Sequence, residues 1–258
     1  MEKERGQIVK AAAGDLHIHT CLSPCGDLDM TPIKIIKQAV KRDLAMIAIT
    51  DHNSAENTAP LIAAARNTDV FVIPGIEVTT YEEAHIVGLF NEVENALSMQ
   101  ELVYDNLQSG VNDEEIFGIQ VVANEFDEVE DINTRLLIGA TSLSLNQVIN
   151  AIHERGGLAV AAHIDRDSFS VISQLGFIPV DTDLDVLEIS RHMTLQSARM
   201  FFREYENFPF ITSSDAHFLD EIGSSPTLFR VARPNMAELR LALGGLKGRK
   251  VLEERMPN

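Results

Sequence analysis

Residues 15–20 read DLHIHT and residues 45–52 read AMIAITDH. Each is a short apolar run that ends in groups able to bind a metal or a proton. His17 and His19 stand two apart at the end of the first run, and side chains two apart on a strand leave the same face. The pattern repeats outward from here. Residues 70–78 (VFVIPGIEV) end in Glu77 and Val78, residues 84–90 open with His85 at their second position, and residues 158–162 are followed by His163. Residues 186–190 are followed by Arg191, and residues 209–212 lead into Asp215 and His217. These runs read as strands buried on both faces, with segments of helical period between them. Thr31-Pro32 opens one helix; Ser144 with Gln147 has capping-box spacing before another, which Gly156 and Gly157 end. Residues 193–207 and 235–244 make two more. Such βα repetition predicts an α/β barrel of parallel strands whose carboxyl ends gather on one active face.

Six of the eight histidines (His17, His19, His52, His85, His163 and His217) fall at predicted strand ends, with Glu77 and Asp215 beside them. Independent core histidines have no reason to choose strand ends six times. Imidazole and carboxylate together suit Zn, Mn or Fe better than Ca. His153 lies on a helix and is expected to be exposed. His192, next to Arg191, is a candidate substrate contact.

Composition limits what such a site can serve. The 258 residues are 45% hydrophobic and 23% charged, the balance of a folded protein. A net charge of −18 with no basic run excludes coating of long duplex nucleic acid, which needs Lys and Arg to displace counterions. A long single strand wants a basic or aromatic track, and there are three tyrosines and no tryptophan. Cys21 and Cys25 give no disulfide framework, no apolar run reaches the ~18 residues of a membrane span, and residues 1–6 carry no signal-peptide core. A cytoplasmic protein without a membrane partner is the expectation; oligomeric state is not legible.

The motifs DLHIHT, ITDHN, PGIEVTT with His85 downstream, AAHIDR and SSDAH occur in that order over residues 15–220, and the chain thereby resembles the PHP (polymerase and histidinol phosphatase) family of metal-dependent phosphoesterases. The resemblance implies a distorted (β/α)7 barrel with two or three divalent ions (Zn, Mn or Fe, with Mg a further candidate). His17, His19, Glu77 and Asp215 would hold the first ion. Glu77 would bridge to a second, held also by His85 and His163, while His52 and His217 would hold a third and make the site trinuclear. The family's further ligand to that third ion, seven residues after the first motif histidine, is replaced here by Pro24, leaving Cys25 or Asp27 as substitutes. Asp51 is expected to orient a ligand.

Residues 1–258 are thus expected to form one PHP phosphoesterase domain, with residues 91–143 an inserted subdomain, either an acidic solvated face or a lid. Glu77 and Asp215 are the expected catalytic carboxylates, and Arg166 and Arg191 the expected phosphate-binding residues. The implied activity is hydrolysis of small phosphomonoesters or short nucleotide phosphates by a metal-bound hydroxide. The alternatives are an exonuclease on single-stranded nucleic acid and a catalytically silent metal- or nucleotide-binding protein.

Overall fold

The computed structural model describes residues 8–252. Its strands are β1 (Lys10–Ile18), β2 (Met46–Ile49), β3 (Phe71–Thr79), β4 (His85–Leu89), β5 (Val121–Ala123), β6 (Val129–Ile132), β7 (Leu158–Ala161), β8 (Val186–Ile189), β9 (Phe210–Thr212), β10 (Thr227–Val231) and β11 (Lys250–Leu252). Nine of them form one sheet in the order β11-β10-β1-β2-β3-β4-β7-β8-β9. One edge of β1 is used twice. Residues 10–14 pair with β10, and Ile18 then forms a parallel bridge with Ala216, just beyond β9. His19 N donates to Ala216 O at 3.0 Å, and Ala216 N to His17 O at 3.4 Å. These contacts bring β9 round to β1, so that β1, β2, β3, β4, β7, β8 and β9 make a nearly closed seven-stranded barrel, the expected distorted (β/α)7 fold.

Side chains from all seven strands fill the interior: Leu16, Ala48, Ile73, Val87, Val160, Val186 and Ile211 belong to one buried cluster. Phe229 from β10 and Leu239 from α8 (Met236–Leu243) join it. The remaining helices are α1 (Pro32–Lys41), α2 (Thr58–Ala65), α3 (Val93–Asn106), α4 (Glu114–Phe117), α5 (Leu145–Glu154), α6 (Val171–Leu175) and α7 (Leu195–Phe201). α1 and α2 bury Ile35, Ile36 and Leu61 against Ile47 and Ile49 of β2. Met99 and Val103 of α3 and Val148 and Ile152 of α5 pack with Ile76, Ile86 and Phe90 on the other flank. The capping box is present at α5, where Ser144 N donates to Gln147 Oε1 at 2.9 Å, and Gly156 leaves the helix at φ +67°.

The structure departs from the expected all-parallel barrel at β4, which runs antiparallel to both β3 and β7. Only residues 80–84 separate β3 from β4, whereas a parallel crossover takes a dozen residues or more, so a hairpin is the connection that fits. His85 therefore starts its strand yet reaches the rim where the other strands end. The helix expected over 193–207 is shorter, α7 followed by a 3-10 turn at Arg203–Tyr205. β10 and β11 were not expected; alternating burial along TLFRV marks β10.

Within residues 91–143, α3 packs into the main core and β5 and β6 form a separate hairpin. That hairpin is fastened to the rim. Val121 N donates to Cys21 O at 2.8 Å, Asn57 Nδ2 to Val121 O at 3.0 Å, and Ala123 N to Asn57 Oδ1 at 2.9 Å. Among the described residues no helix is long and apolar enough to cross a membrane.

Candidate metal centre

At the rim the strand ends deliver their polar groups to one place. A register shift between Asp15 and Ile18 lets Leu16 enter the barrel interior while His17 and His19 turn into the site. Glu77, from β3, lies within reach of five imidazoles: His52 Nδ1 and His85 Nδ1 at 2.9 Å, His17 Nε2 and His163 Nε2 at 3.3 Å, and His19 Nε2 at 3.4 Å. Asp215 Oδ1 is 3.0 Å from His19 Nε2, 3.5 Å from His17 Nε2 and 3.7 Å from His217 Nδ1. All eight proposed ligands thus converge. Three groups have ligand atoms close enough to share an ion: His17, His19 and Glu77; His52, Glu77 and His85; and His19, His52 and His217.

Neighbouring groups fix how several rings present their lone pairs. His17 Nδ1 donates to Glu188 Oε1 at 2.9 Å, leaving Nε2 toward Glu77 and Asp215. Ser23 Oγ donates to Asp51 Oδ1 at 2.7 Å and accepts from His19 Nδ1 at 2.9 Å. His217 Nδ1 donates to the Asp215 carbonyl at 2.9 Å. These bonds direct the outer nitrogen of each ring to an acceptor and its inner nitrogen to the centre, the arrangement that metal-ligating histidines require. Asp51 plays the expected orienting part, through Ser23 and through Thr20, whose N and Oγ1 donate to it at 2.6 and 2.7 Å.

The donor set fits divalent ions. Glu77 Oε2, His85 Nδ1 and His163 Nδ1 are buried without a hydrogen-bond partner among the described residues, and unsatisfied polar atoms at this density are unusual unless a ligand completes them. Backbone strain concentrates here as well, with His163 and Asp215 at φ +31° and +50°. Charge is finely divided. Burial works against an ionised Glu77, yet His85, His17 and His52 hold its carboxyl well below the ordinary range; His17 and His19 do the same for Asp215. Burial likewise opposes a charged His17 or His52. Glu188, Glu77 and Asp215 nevertheless carry His17 well above the usual imidazole value, and Cys25 and Glu77 do so for His52. Burial prevails at His19, which lies well below that value, and at His85, lowered to about 4.

Arg166 reaches the centre, its Nη1 2.7 Å from Asp215 Oδ2. Arg191 is one step removed: its Nη1 is 2.6 Å from Glu221 Oε1, and Glu221 Oε2 accepts from His217 N at 3.0 Å. His153 stands apart, half-buried, paired through Nε2 with Asp185 at 2.8 Å. The loop after Pro24 separates the two candidate substitutes. The Cys25 thiol lies beside the imidazoles of His52 and His217, whereas Asp27 Oδ1 accepts from Asp29 N within its own turn. Burial raises the thiol's pKa, but His52 and His217 outweigh it and bring Cys25 down to about 6.

Three neighbours escaped the sequence reading. Glu188 is the lone carboxylate inside the buried run VLEI, a signal visible in the sequence. Ser23 carries no such mark. Phe169 stacks on His85 with centroids 4.9 Å apart and planes 17° apart, and stays 44% exposed at φ +56°.

The sequence profile of the PHP domain matches residues 15–170, more than half of the chain, and that of the PHP-associated region matches residues 193–244. The chain belongs to the PHP family. PHP proteins are metal-dependent hydrolases of phosphate esters; this chain is one of them and carries His and Glu clusters that could hold metal. The 5'-3' exoribonuclease Rnm of Escherichia coli K12 is 26% identical over 60% of this chain and 67% of its own length. The 3',5'-nucleoside bisphosphate phosphatase of Chromobacterium violaceum is 36% identical over 29% of this chain and 26% of its own. Among solved structures, the lesion-specific endonuclease Q of Pyrococcus furiosus superposes with a TM-score of 0.71 at 20% identity, covering 94% of this chain and 58% of that one. At that identity the likeness speaks for the PHP fold alone.

Proposed function

We propose that this protein hydrolyses small phosphomonoesters or short nucleotide phosphates at a trinuclear centre held by His17, His19, His52, Glu77, His85, His163, Asp215 and His217. The observation that carries the reading is the convergence of five imidazoles on Glu77 beside Asp215. Bound divalent ions (Zn, Mn or Fe, with Mg less favoured by imidazole) supply Lewis acidity toward phosphate oxygens and acidify water. Glu77 and Asp215 are the carboxylates nearest the chemistry. Glu188, Ser23 and the Asp215 carbonyl hold the outer imidazole protons of His17, His19 and His217 in place. Arg166, already against Asp215, is placed to fork onto the oxygens of an incoming phosphate, with Arg191 behind His217.

Phe169 supports a nucleotide as the ester. It lies on the same loop as Arg166 and exposes one of the few aromatic faces near the centre, and a base can stack there while its phosphate meets the arginine. The net charge of −18 favours a short substrate over a long strand or duplex. The second reading, an exonuclease on single strands, draws on the likeness to Rnm. In either case the β5–β6 hairpin, fastened to Cys21 and Asn57, is placed to border the site. The free thiols of Cys21 and Cys25 fit a reducing, cytoplasmic setting.

The test is turnover of nucleoside bisphosphates, nucleoside monophosphates, a simple aryl phosphate and short RNA and DNA strands, each with Mn, Zn and Mg. Release of phosphate from the small esters is expected. Cleavage of the strands with no turnover of any small ester would establish the exonuclease instead.

A further inference from the structure

The sequence leaves Pro24 where the family places a ligand to the third ion, and the structure shows what stands in that space. Residues 20–27 form a tight turn. Ser23 N donates to Thr20 O at 3.1 Å, Gly26 N to Ser23 O at 2.9 Å, and Asp27 N to His217 O at 2.9 Å. A Cβ on Gly26 would come within 2.3 Å of Thr20 O, so only glycine lets the chain fold this closely. The turn lies against both His52 and His217, the outer two members of the His19, His52 and His217 group: His52 N donates to Ser23 Oγ at 3.2 Å, Asp27 N donates to His217 O at 2.9 Å, and Cys25 sits between these two anchors with its thiol beside both imidazoles. Glu77 Oε2, buried and without a hydrogen-bond partner, borders the same space, 2.9 Å from His52 Nδ1 and 3.4 Å from His19 Nε2. Asp27, the other candidate, spends its carboxylate on Asp29 N, and its backbone N–H holds the turn to His217.

We propose that Cys25 is a sulfur ligand to the ion held by His52 and His217, which makes this position selective for a soft cation, Zn or Fe, over Mn or Mg. On binding, the thiol proton passes to solvent and sulfur donates an electron pair to the ion. No oxidant or reductant is involved. Sulfur favours these metals because its polarisable lone pairs match borderline-soft cations, whereas a carboxylate in the same place leaves Mn and Mg competitive. The proposal rests on the metal-centre reading above and specialises one of its positions: the centre is mixed, two positions of nitrogen and oxygen donors and one that includes sulfur.

The test uses the whole protein, freed of metal and reloaded with Co(II), whose thiolate charge-transfer absorption in the near ultraviolet reports sulfur ligation independently of turnover. Cobalt per chain is measured on the same samples. The wild type is expected to show the band, Cys25→Ser to lose it, and Asp27→Asn to keep it. Cys25 lies at the exposed mouth of the site, so the substitution leaves the core intact. X-ray absorption of the zinc form should likewise show one sulfur at ~2.3 Å. Cobalt bound without the band, or a band that survives in Cys25→Ser, overturns the sulfur ligand and leaves the metal centre standing. Absence of any bound cobalt overturns both.

Discussion

Glu77 touches five ring nitrogens, all within 3.4 Å, in a setting where burial alone would raise the pKa of its carboxyl. Glu77→Ala should therefore lower phosphatase turnover by far more than tenfold, because the remaining cationic groups and ions lose their shared counter-charge. His153→Ala, outside the centre, should stay near wild type. A Glu77→Ala variant retaining a tenth of the activity, a barrier change of only ~1.4 kcal/mol, would show that Glu77 does not bridge. The imidazoles divide by charge, which sets a pH dependence. His17 and His52, raised well above the usual value, hold protons at neutral pH and must give them up to ligate; His19 and His85, lowered, are already neutral. Adding Zn to metal-free protein at pH 7 should acidify a weakly buffered solution, and metal affinity should fall as pH falls. Binding with no proton uptake or release would contradict that assignment. The proposed ligands could be picked out because each is a polar residue at or just beyond one end of an apolar run. Ser23 was not, since its part comes from a hydrogen bond between His19 and Asp51, which lie far apart in sequence.

The hairpin β5–β6 and the strand β4 show where element-level reading gives out. Alternation of strand and helix is a local pattern and was readable; the direction of β4 depends on the short 80–84 connection, and its consequence, that His85 reaches the rim from the start of a strand, is a matter of topology. The hairpin's place depends in part on a side chain remote from it. Asn57 is fully buried and bonds Thr20 Oγ1, Val121 O and Ala123 N. Asn57→Ala should leave the last two without these partners, at a cost of about 1–3 kcal/mol each. The loss should appear as faster amide exchange over residues 121–132 ahead of global unfolding. Exchange in step with the barrel strands would mean that the hairpin is held by other contacts.

At the scale of the whole molecule, a chain of net charge −18 carries at one rim a cluster of imidazoles and carboxylates that could hold cations. A barrel was expected, but the contacts that close it, among them His19 N to Ala216 O and Ala216 N to His17 O, were not legible, because they join segments nearly two hundred residues apart. Their placement has a mechanical meaning. On one side of that seam stand His17 and His19, on the other Asp215 and His217, and all four reach into the same space. An ion shared between them would be a removable rivet across this join, acting much as a disulfide would but sensitive to chelators. A ligand at a thousand times its Kd stabilises a fold by about 4 kcal/mol. Stripping the metal should accordingly lower Tm by several degrees and release the amides of His19 and Ala216 to exchange before those of β2 and β3. Should those two amides stay as protected as their neighbours, the join holds without its rivet; should they loosen, loss of metal disables the catalyst and unfastens its frame in one event.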